Sequence, residues 1–308
     1  MNRDSIDWAG QIPAVVTPFK EDGAIDENAF RENNARMMAH GASGLLIGGC
    51  TGEFWSMSGK ERHSLFKMGA GATEGKGPVL AGTGAITVKE TVELTNAAKD
   101  AGCDGAVILP PYFIKLTEDE IFAHFQEVNA AVAFPIVIYN IPGNAVNAVT
   151  PELAARIAEL DNVVAIKESS GDWNNFYSTL IRVIDKIRVF CGPSSAFGVP
   201  AVAVGADGFI DCFPNVWAPG GIDLFHAAKE GRTREAARLQ ETGRRLTDLF
   251  TSQGRTLYPS TKAAMNEMGF NGGAVRAPLR PLGTDQVDSL MKGLDELKIN
   301  QTKTGERA

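Results

Sequence analysis

The sequence predicts an α/β protein, a (β/α)8 TIM barrel with a C-terminal helical extension. Three features of its 308 residues lead there. Short β-type runs alternate with helical stretches along most of the chain, the order expected of a parallel sheet. Those runs are continuously apolar rather than alternating, as when both faces of a strand are covered. After Ile210 the strand signal stops, and residues from about Gly220 to Lys298 read as helix.

Taken in order, strands are expected at Ile12–Thr17, Gly44–Ile47, Val79–Ala81, Ala106–Leu109, Ile136–Asn140, Val163–Glu168, Arg188–Phe190 and Gly208–Ile210. Helix starts are marked by Ser58 with Glu61, Thr87 with Glu90 and Thr117 with Glu120, three capping boxes in which a hydroxyl satisfies an orphan N–H and the Glu reaches back. Thr150-Pro151 places a cap before a proline at the first helical position. Gly41, Gly102 and Gly205 each stand three residues before a second glycine and a strand, suited to ending a helix in the left-handed conformation. Breaks near Gly254, Tyr258-Pro259 and Gly272-Gly273 divide the helical extension. The domain organisation expected is a barrel over residues 1–218, an extension over 219–299 packed on it as one continuous domain, and a frayed tail over 300–308.

An open doubly wound sheet is the other architecture with eight parallel strands. Its dinucleotide fingerprint is absent, because Gly82-Thr83-Gly84 is followed by Ala85, Ile86 and Thr87 with no third glycine. Gly75-Lys76-Gly77 lacks the Ser or Thr of a P-loop. The barrel is therefore preferred, and barrels place chemistry at the carboxyl ends of their strands.

With 44% hydrophobic and 22% charged residues the chain has the composition of a soluble globular protein. Thirty Lys and Arg against 37 Asp and Glu give a net charge of -7, which argues against nucleic-acid binding. No apolar run approaches the ~20 residues that span a bilayer, and Met1 to Ser5 lacks a signal-peptide core. A cytoplasmic protein with no membrane partner is expected. Cys50, Cys103, Cys191 and Cys212 form no C-x-x-C pair, and His40, His63, His124 and His226 show no ligand spacing. Neither a zinc site nor a disulfide framework is expected.

Three strand ends carry unusual residues: Gly48-Gly49-Cys50-Thr51-Gly52-Glu53, Tyr139-Asn140-Ile141-Pro142-Gly143 and Lys167-Glu168-Ser169. Lys167 ends a run of small and branched apolar residues, on the same face as Val163 and Ala165. If that face points inward, desolvation lowers its pKa and frees a nucleophilic amine. Position alone favours a strand-end lysine that simply reaches solvent, since lysine is rarely buried. Tyr139 fits a core aromatic or a proton carrier beside Lys167. The Gly48 to Gly52 loop fits a tight turn or a cradle of N–H groups for a carboxylate, with the Thr51 hydroxyl as a further donor. Glu53 fits a contact at an interface or a brace for that loop.

Together these segments resemble the family of dihydrodipicolinate synthase and N-acetylneuraminate lyase, class I aldolases that work through a lysine Schiff base. The resemblance runs from about Ile12 to Pro281 and rests on Gly49-Cys50-Thr51-Gly52-Glu53, Leu109-Pro110-Pro111-Tyr112-Phe113, Tyr139-Asn140-Ile141-Pro142 and Ile166-Lys167-Glu168. It implies a (β/α)8 barrel with C-terminal helices. It makes Lys167 the imine-forming lysine and Tyr139 the phenol beside it, and it puts Cys50 and Thr51 where the family binds the 2-oxo acid carboxylate and relays protons. Gly192 and Ile210 match positions lining the pyruvate pocket. It also implies a homotetramer built as a dimer of dimers, with no metal or dissociable cofactor.

Three residues depart from the family pattern. Cys50 replaces a Thr or Ser, which removes a strong hydroxyl donor. Phe113 stands where many members have a Tyr that crosses to the neighbouring site, so a Thr–Tyr–Tyr proton relay is expected to be incomplete. Asn144 stands where dihydrodipicolinate synthases carry an Arg for the second substrate's carboxylate, and an amide does not replace a bidentate cation. Segments Gly52 to Ser56 and Val275 to Leu279 are similar to those of keto-deoxy sugar-acid dehydratases. The resemblance therefore implies a lyase acting on pyruvate or a related 2-oxo acid, by aldol cleavage, condensation or dehydration, with a 2-keto-3-deoxy sugar acid as the favoured substrate. The alternatives are 4-hydroxy-tetrahydrodipicolinate synthase, a phosphate-binding barrel enzyme cradling its ligand at Gly205–Gly208, and a catalytically weak binding barrel.

Overall fold

A computed structural model describes residues 1–299, so the tail expected at 300–308 lies outside the described residues. Eight parallel strands run β1 (Gly10–Gln11), β2 (Leu45–Ile47), β3 (Val79–Gly82), β4 (Gly105–Ile108), β5 (Ile136–Asn140), β6 (Val163–Glu168), β7 (Arg188–Cys191) and β8 (Gly208–Phe209). They lie side by side in the order β1-β8-β7-β6-β5-β4-β3-β2. The ring closes where Leu46 donates to the Pro13 carbonyl at 2.8 Å and Val15 donates to Leu46 at 3.0 Å. A (β/α)8 barrel results, with every strand position buried except the half-buried Arg188. That full burial is why the strand runs are apolar without alternation.

The first strand differs from its expected span of Ile12–Thr17. Regular pairing covers only Gly10–Gln11, followed by an isolated parallel bridge between Ala14 and Leu46. Pro13 has no N–H to contribute, so the ladder is interrupted there. β8 is equally short, and Gly208 meets β1 so closely that a Cβ on it would lie 2.0 Å from the Gly10 carbonyl oxygen.

Among the described residues twelve α-helices accompany the strands: α1 (Glu27–Ala39), α2 (Gly59–Gly69), α3 (Val88–Ala101), α4 (Glu118–Ala131), α5 (Pro142–Ala145), α6 (Pro151–Ile157), α7 (Trp173–Val183), α8 (Ser194–Ala203), α9 (Pro214–Lys229), α10 (Thr233–Thr251), α11 (Leu257–Glu267) and α12 (Thr284–Glu296). Ser58 and Thr117 form full capping boxes with Glu61 and Glu120. Thr87 caps α3 through the Glu90 N–H alone, without the reciprocal bond. The Glu90 carboxylate instead acts electrostatically on Arg62 and Tyr112. Gly41, Gly102 and Gly205 take φ of +96°, +91° and +108°, the left-handed turns that let a helix end and a strand begin.

Beyond the barrel, α10, α11 and α12 pack together, with Leu246, Phe250, Met265, Leu290 and Leu294 buried in one continuous core. The boundary expected after residue 218 falls inside α9, next to its kink at Trp217. Tyr258-Pro259 was expected to break the helical region and does not. It forms the first turn of α11, where backbone N–H groups have no intrahelical partner and a proline is tolerated.

Candidate active site

The register of the barrel sets the centre of the site. Tyr139 at the end of β5 pairs with Lys167 near the end of β6. Paired residues in adjacent strands share a face, so both side chains enter the barrel mouth. The Lys167 ammonium nitrogen stands 4.0 Å from the centroid of the Tyr139 ring. Lys167 is 4% exposed, which rejects the solvent-reaching alternative. Its neighbour Glu168 faces the other way and accepts hydrogen bonds from Asn140, Ser170 and Asn175.

A cavity of about 210 Å³ opens above this pair, and Cys50, Thr51, Tyr139, Lys167, Gly192 and Ile210 all line it. Six of the eight residues singled out from the sequence are thus brought together. Asn144 lies on α5 just outside, and its side-chain amide donates to the Tyr258 hydroxyl at 3.4 Å. Phe113 is 85% exposed and stands away from the cavity, on a loop that Asn147 pins by donating to the carbonyls of Pro111 and Ile114.

The glycine-rich loop is shaped by its backbone. Gly48 takes φ +61°, and Glu53 takes the left-handed φ of 56° that costs a non-glycine residue free energy. Glu53 persists there because it is fully buried against Lys262 of α11, 2.5 Å away, and accepts from the Arg276 backbone N–H at 3.2 Å. Lys262 also donates to the Ala274 carbonyl at 2.7 Å. Glu53 is therefore a brace for the loop, tying it to the C-terminal helices.

Several wall residues escaped the sequence reading: Ser169, Ser195, Asp211, Cys212, Thr247 and Tyr258. Asp211 follows β8 and is held by the Ser194 hydroxyl at 2.5 Å, the Phe213 N–H at 3.1 Å and the Gln11 amide at 3.3 Å. An acid just after a barrel strand is the same signal that marked Lys167, and it was there to be read. Tyr258 had no local signal, because it reaches the site from an extension helix. Gly192 makes room for Ser169, whose hydroxyl would lie 1.7 Å from a Cβ at that position. The Ser169 hydroxyl is buried with no protein partner, leaving it free for a ligand.

Burial governs the charges. It lowers the Lys167 amine to about 8, although Asp211 nearby favours the charged form. It pushes the Asp211 carboxyl up to about 6 against the pull of its hydrogen bonds and of Lys167. It also raises the Cys50 thiol and the Tyr139 and Tyr258 phenols, so all three keep their protons at neutral pH. A free amine, neutral proton donors and hydroxyls around a small cavity suit covalent attack on a carbonyl. Among the described residues no three His, Cys, Asp or Glu side chains gather as a metal-binding cluster.

Comparison with known proteins agrees with this geometry. The profile of the dihydrodipicolinate synthetase family matches residues 7–297. A protein described as an uncharacterized DapA-like lyase from Rhizobium meliloti is 32% identical, over 95% of this chain and 97% of its own. The 4-hydroxy-tetrahydrodipicolinate synthase of Hyphomonas neptunium is 38% identical, over 88% of this chain and 92% of its own. Among solved structures, YagE, a prophage protein of the dihydrodipicolinic acid synthase family from E. coli K12 in complex with pyruvate, superposes with a TM-score of 0.90 at 26% identity. It covers 96% of this chain and 100% of that one. The chloride-inhibited dihydrodipicolinate synthase of Acinetobacter baumannii, complexed with pyruvate, gives 0.88 at 27% identity, over 94% and 99% of the two chains.

Proposed function

The chain belongs to the dihydrodipicolinate synthetase family and is a lyase, and from that premise we propose that Lys167 forms a Schiff base with a 2-oxo acid. The observation that carries this reading is the buried Lys167 amine, titrating at about 8 on the wall of a cavity beside Tyr139. The free amine adds to the C2 ketone. Tyr139 passes a proton to the resulting hydroxyl, which leaves as water, and a protonated imine remains. That imine is an electron sink: loss of a C3 proton gives an enamine. Thr51 and the loop N–H groups hold the substrate carboxylate. Cys50, Gly192 and Ile210 shape the pyruvyl end, Asn144 acts on the site through Tyr258, and Phe113 belongs to a contact between subunits.

The favoured substrate is a 2-keto-3-deoxy sugar acid. Ser169, Ser195 and Thr247 give the cavity a wall of hydroxyls suited to a hydroxylated chain. From the enamine, expulsion of a C4 hydroxyl is a dehydration; from the imine, cleavage of C3–C4 is a retro-aldol step. A second reading, 4-hydroxy-tetrahydrodipicolinate synthase, is supported by the names of close relatives. Against it stands Asn144, which offers no positive charge to a second carboxylate.

The finer assignments are part of the same proposal. A homotetramer is supported by the exposed apolar side chains of Phe113, Ile114 and Val146 near the barrel mouth. A cytoplasmic setting is supported by four free, buried thiols; no described helix is long and apolar enough to cross a membrane. Borohydride reduction with pyruvate tests the chemistry. One pyruvyl adduct is expected on the peptide holding Lys167 and none in Lys167→Ala; trapping that survives the substitution rejects the assignment.

A further inference from the structure

Asp211 is buried, ionisable and unused by the chemistry described so far. Among the described residues that line the cavity, Lys167 is the only cation and Asp211 the only acid. Lys167 stands on β6 and Asp211 follows β8, with β7 between them. Donors from three segments fix the carboxyl. The Gln11 amide of β1 and the Phe213 N–H donate to one oxygen at 3.3 and 3.1 Å, and the Ser194 hydroxyl of α8 donates to the other at 2.5 Å. Donors on both oxygens are what a carboxylate needs to stay ionised out of water. The other titratable groups close to this pair are Cys50 after β2, Tyr139 on β5, Cys191 on β7, Cys212 after β8 and Tyr258 on α11, and burial raises all five, so they carry no charge at neutral pH. Glu168 is turned away onto Asn140, Ser170 and Asn175. A round cavity of about 210 Å³ is roughly 7 Å across, inside the ~8 Å over which charges act on each other even in physiological salt.

We propose that Asp211 is the counter-ion of the protonated Schiff base: from across the cavity its carboxylate keeps the proton on the imine nitrogen until the bond at C3 breaks. The proposal rests on the Schiff-base reading of Lys167 and names what keeps that electron sink charged. The amine and the imine have opposite needs. The amine must lose its proton to attack, whereas the imine must hold its proton to draw electrons from C3. When the C3–H bond breaks, its electron pair becomes the C2=C3 bond, the C=N pair moves onto nitrogen, and the proton passes to a water. A cationic nitrogen receives that pair far better than a neutral one. Burial alone would strip the charge from the nitrogen, as it does from the amine. The substrate brings a carboxylate of its own, but the donors of Thr51 and its loop take up that charge. The Asp211 charge is left to act on the nitrogen, and each member of the pair favours the charged form of the other.

The test is exchange of the pyruvate C3 protons with heavy water, followed by NMR from about pH 6 to 10, with borohydride labelling of Lys167 alongside. In the wild type, exchange should rise as the amine is freed and fall again where the imine gives up its proton. Asp211→Asn keeps the shape of the side chain and removes its charge. It is expected to move the falling limb down by roughly one pH unit and to slow exchange about 10-fold on the alkaline side, while borohydride still labels Lys167. Asp211→Glu keeps the charge and should keep most of the exchange. Three results overturn the counter-ion and leave the Schiff base standing: wild-type exchange in Asp211→Asn, a loss there by the same factor at every pH, or an equal loss in Asp211→Glu. Should Asp211→Asn not fold, Ser194→Ala decides, because it leaves the carboxyl in place and removes one donor. Exchange should then fall relative to wild type at about pH 6, where the carboxyl is closest to taking up a proton, and recover by about pH 8; a ratio that does not vary with pH overturns the proposal. A wild-type protein that traps no pyruvate overturns the Schiff-base reading, and the counter-ion with it.

Discussion

Lys167 holds its proton far less tightly than a lysine in water. A group titrating near 8 is unprotonated in about one molecule in ten at pH 7, against about one in three thousand for an ordinary side chain. kcat/KM should therefore rise with pH and level off above about 8. Asp211 favours the charged amine, so Asp211→Asn should lower the lysine further and move that acid limb down by roughly one pH unit. A pH–rate profile of the two proteins decides it, and an upward shift would contradict the electrostatics. Stability carries the same signature. Between about 8 and 10.5 the unfolded lysine keeps a proton that the folded one has released, so this group makes the fold more stable as pH rises through that window. Lys167 and Tyr139 were legible because each ends an apolar strand with a reactive group. Asp211 drew no reading from the sequence, and Tyr258, next to Pro259, reads there as a break in the helical region.

At the scale of elements, the strands of β5 and β6 were legible to the residue, since long apolar runs between clear caps leave little freedom. The first strand was not, because Pro13 interrupts the ladder while keeping the chain extended. The seam that β1 forms with β8 is two residue pairs long and depends on Gly208. Gly208→Ala puts a Cβ against backbone atoms of Gly10, which no rotamer change relieves, and should cost about 3 kcal/mol. A lowered urea midpoint with an unchanged slope is the expected result. The loop-to-helix brace behaves differently. Lys262→Met leaves the Glu53 carboxylate buried and unpaired, with an expected cost of about 3–5 kcal/mol, and adding Glu53→Gln should recover a good part of it. Thermal melts of the three variants read both effects. The brace was invisible to local pattern, since its halves lie at opposite ends of the sequence.

For the whole molecule, the apolar residues left at the surface carry the expectation of assembly. Phe113 is the most exposed large apolar side chain, at 85%, and it is held at φ +77° on the loop after β4. Phe113→Asp should weaken the contact there and give a smaller particle by light scattering at micromolar protein, with the imine at Lys167 still trapped. A wild-type monomer would remove the basis for a tetramer. The barrel class was legible from the order of elements alone, and the neutral Asn144 marked the doubt about the biosynthetic reaction. The completion of the site by an extension helix was not legible, because packing between distant segments leaves no period or spacing in a sequence.

On a ribosome, Glu53 emerges early and its anchors emerge late: the Arg276 N–H that binds its carboxylate follows 223 residues behind. Domains fold as they are completed from the N-terminal side, yet this loop has nowhere to settle until α11 and the segment after it have been made. Nascent or truncated chains lacking Lys262 thus carry Lys167 without the braced loop or Tyr258 beside it. The braced site is thus completed late, and a chain truncated ahead of α11 is expected to show none of the pyruvate trapping proposed for Lys167.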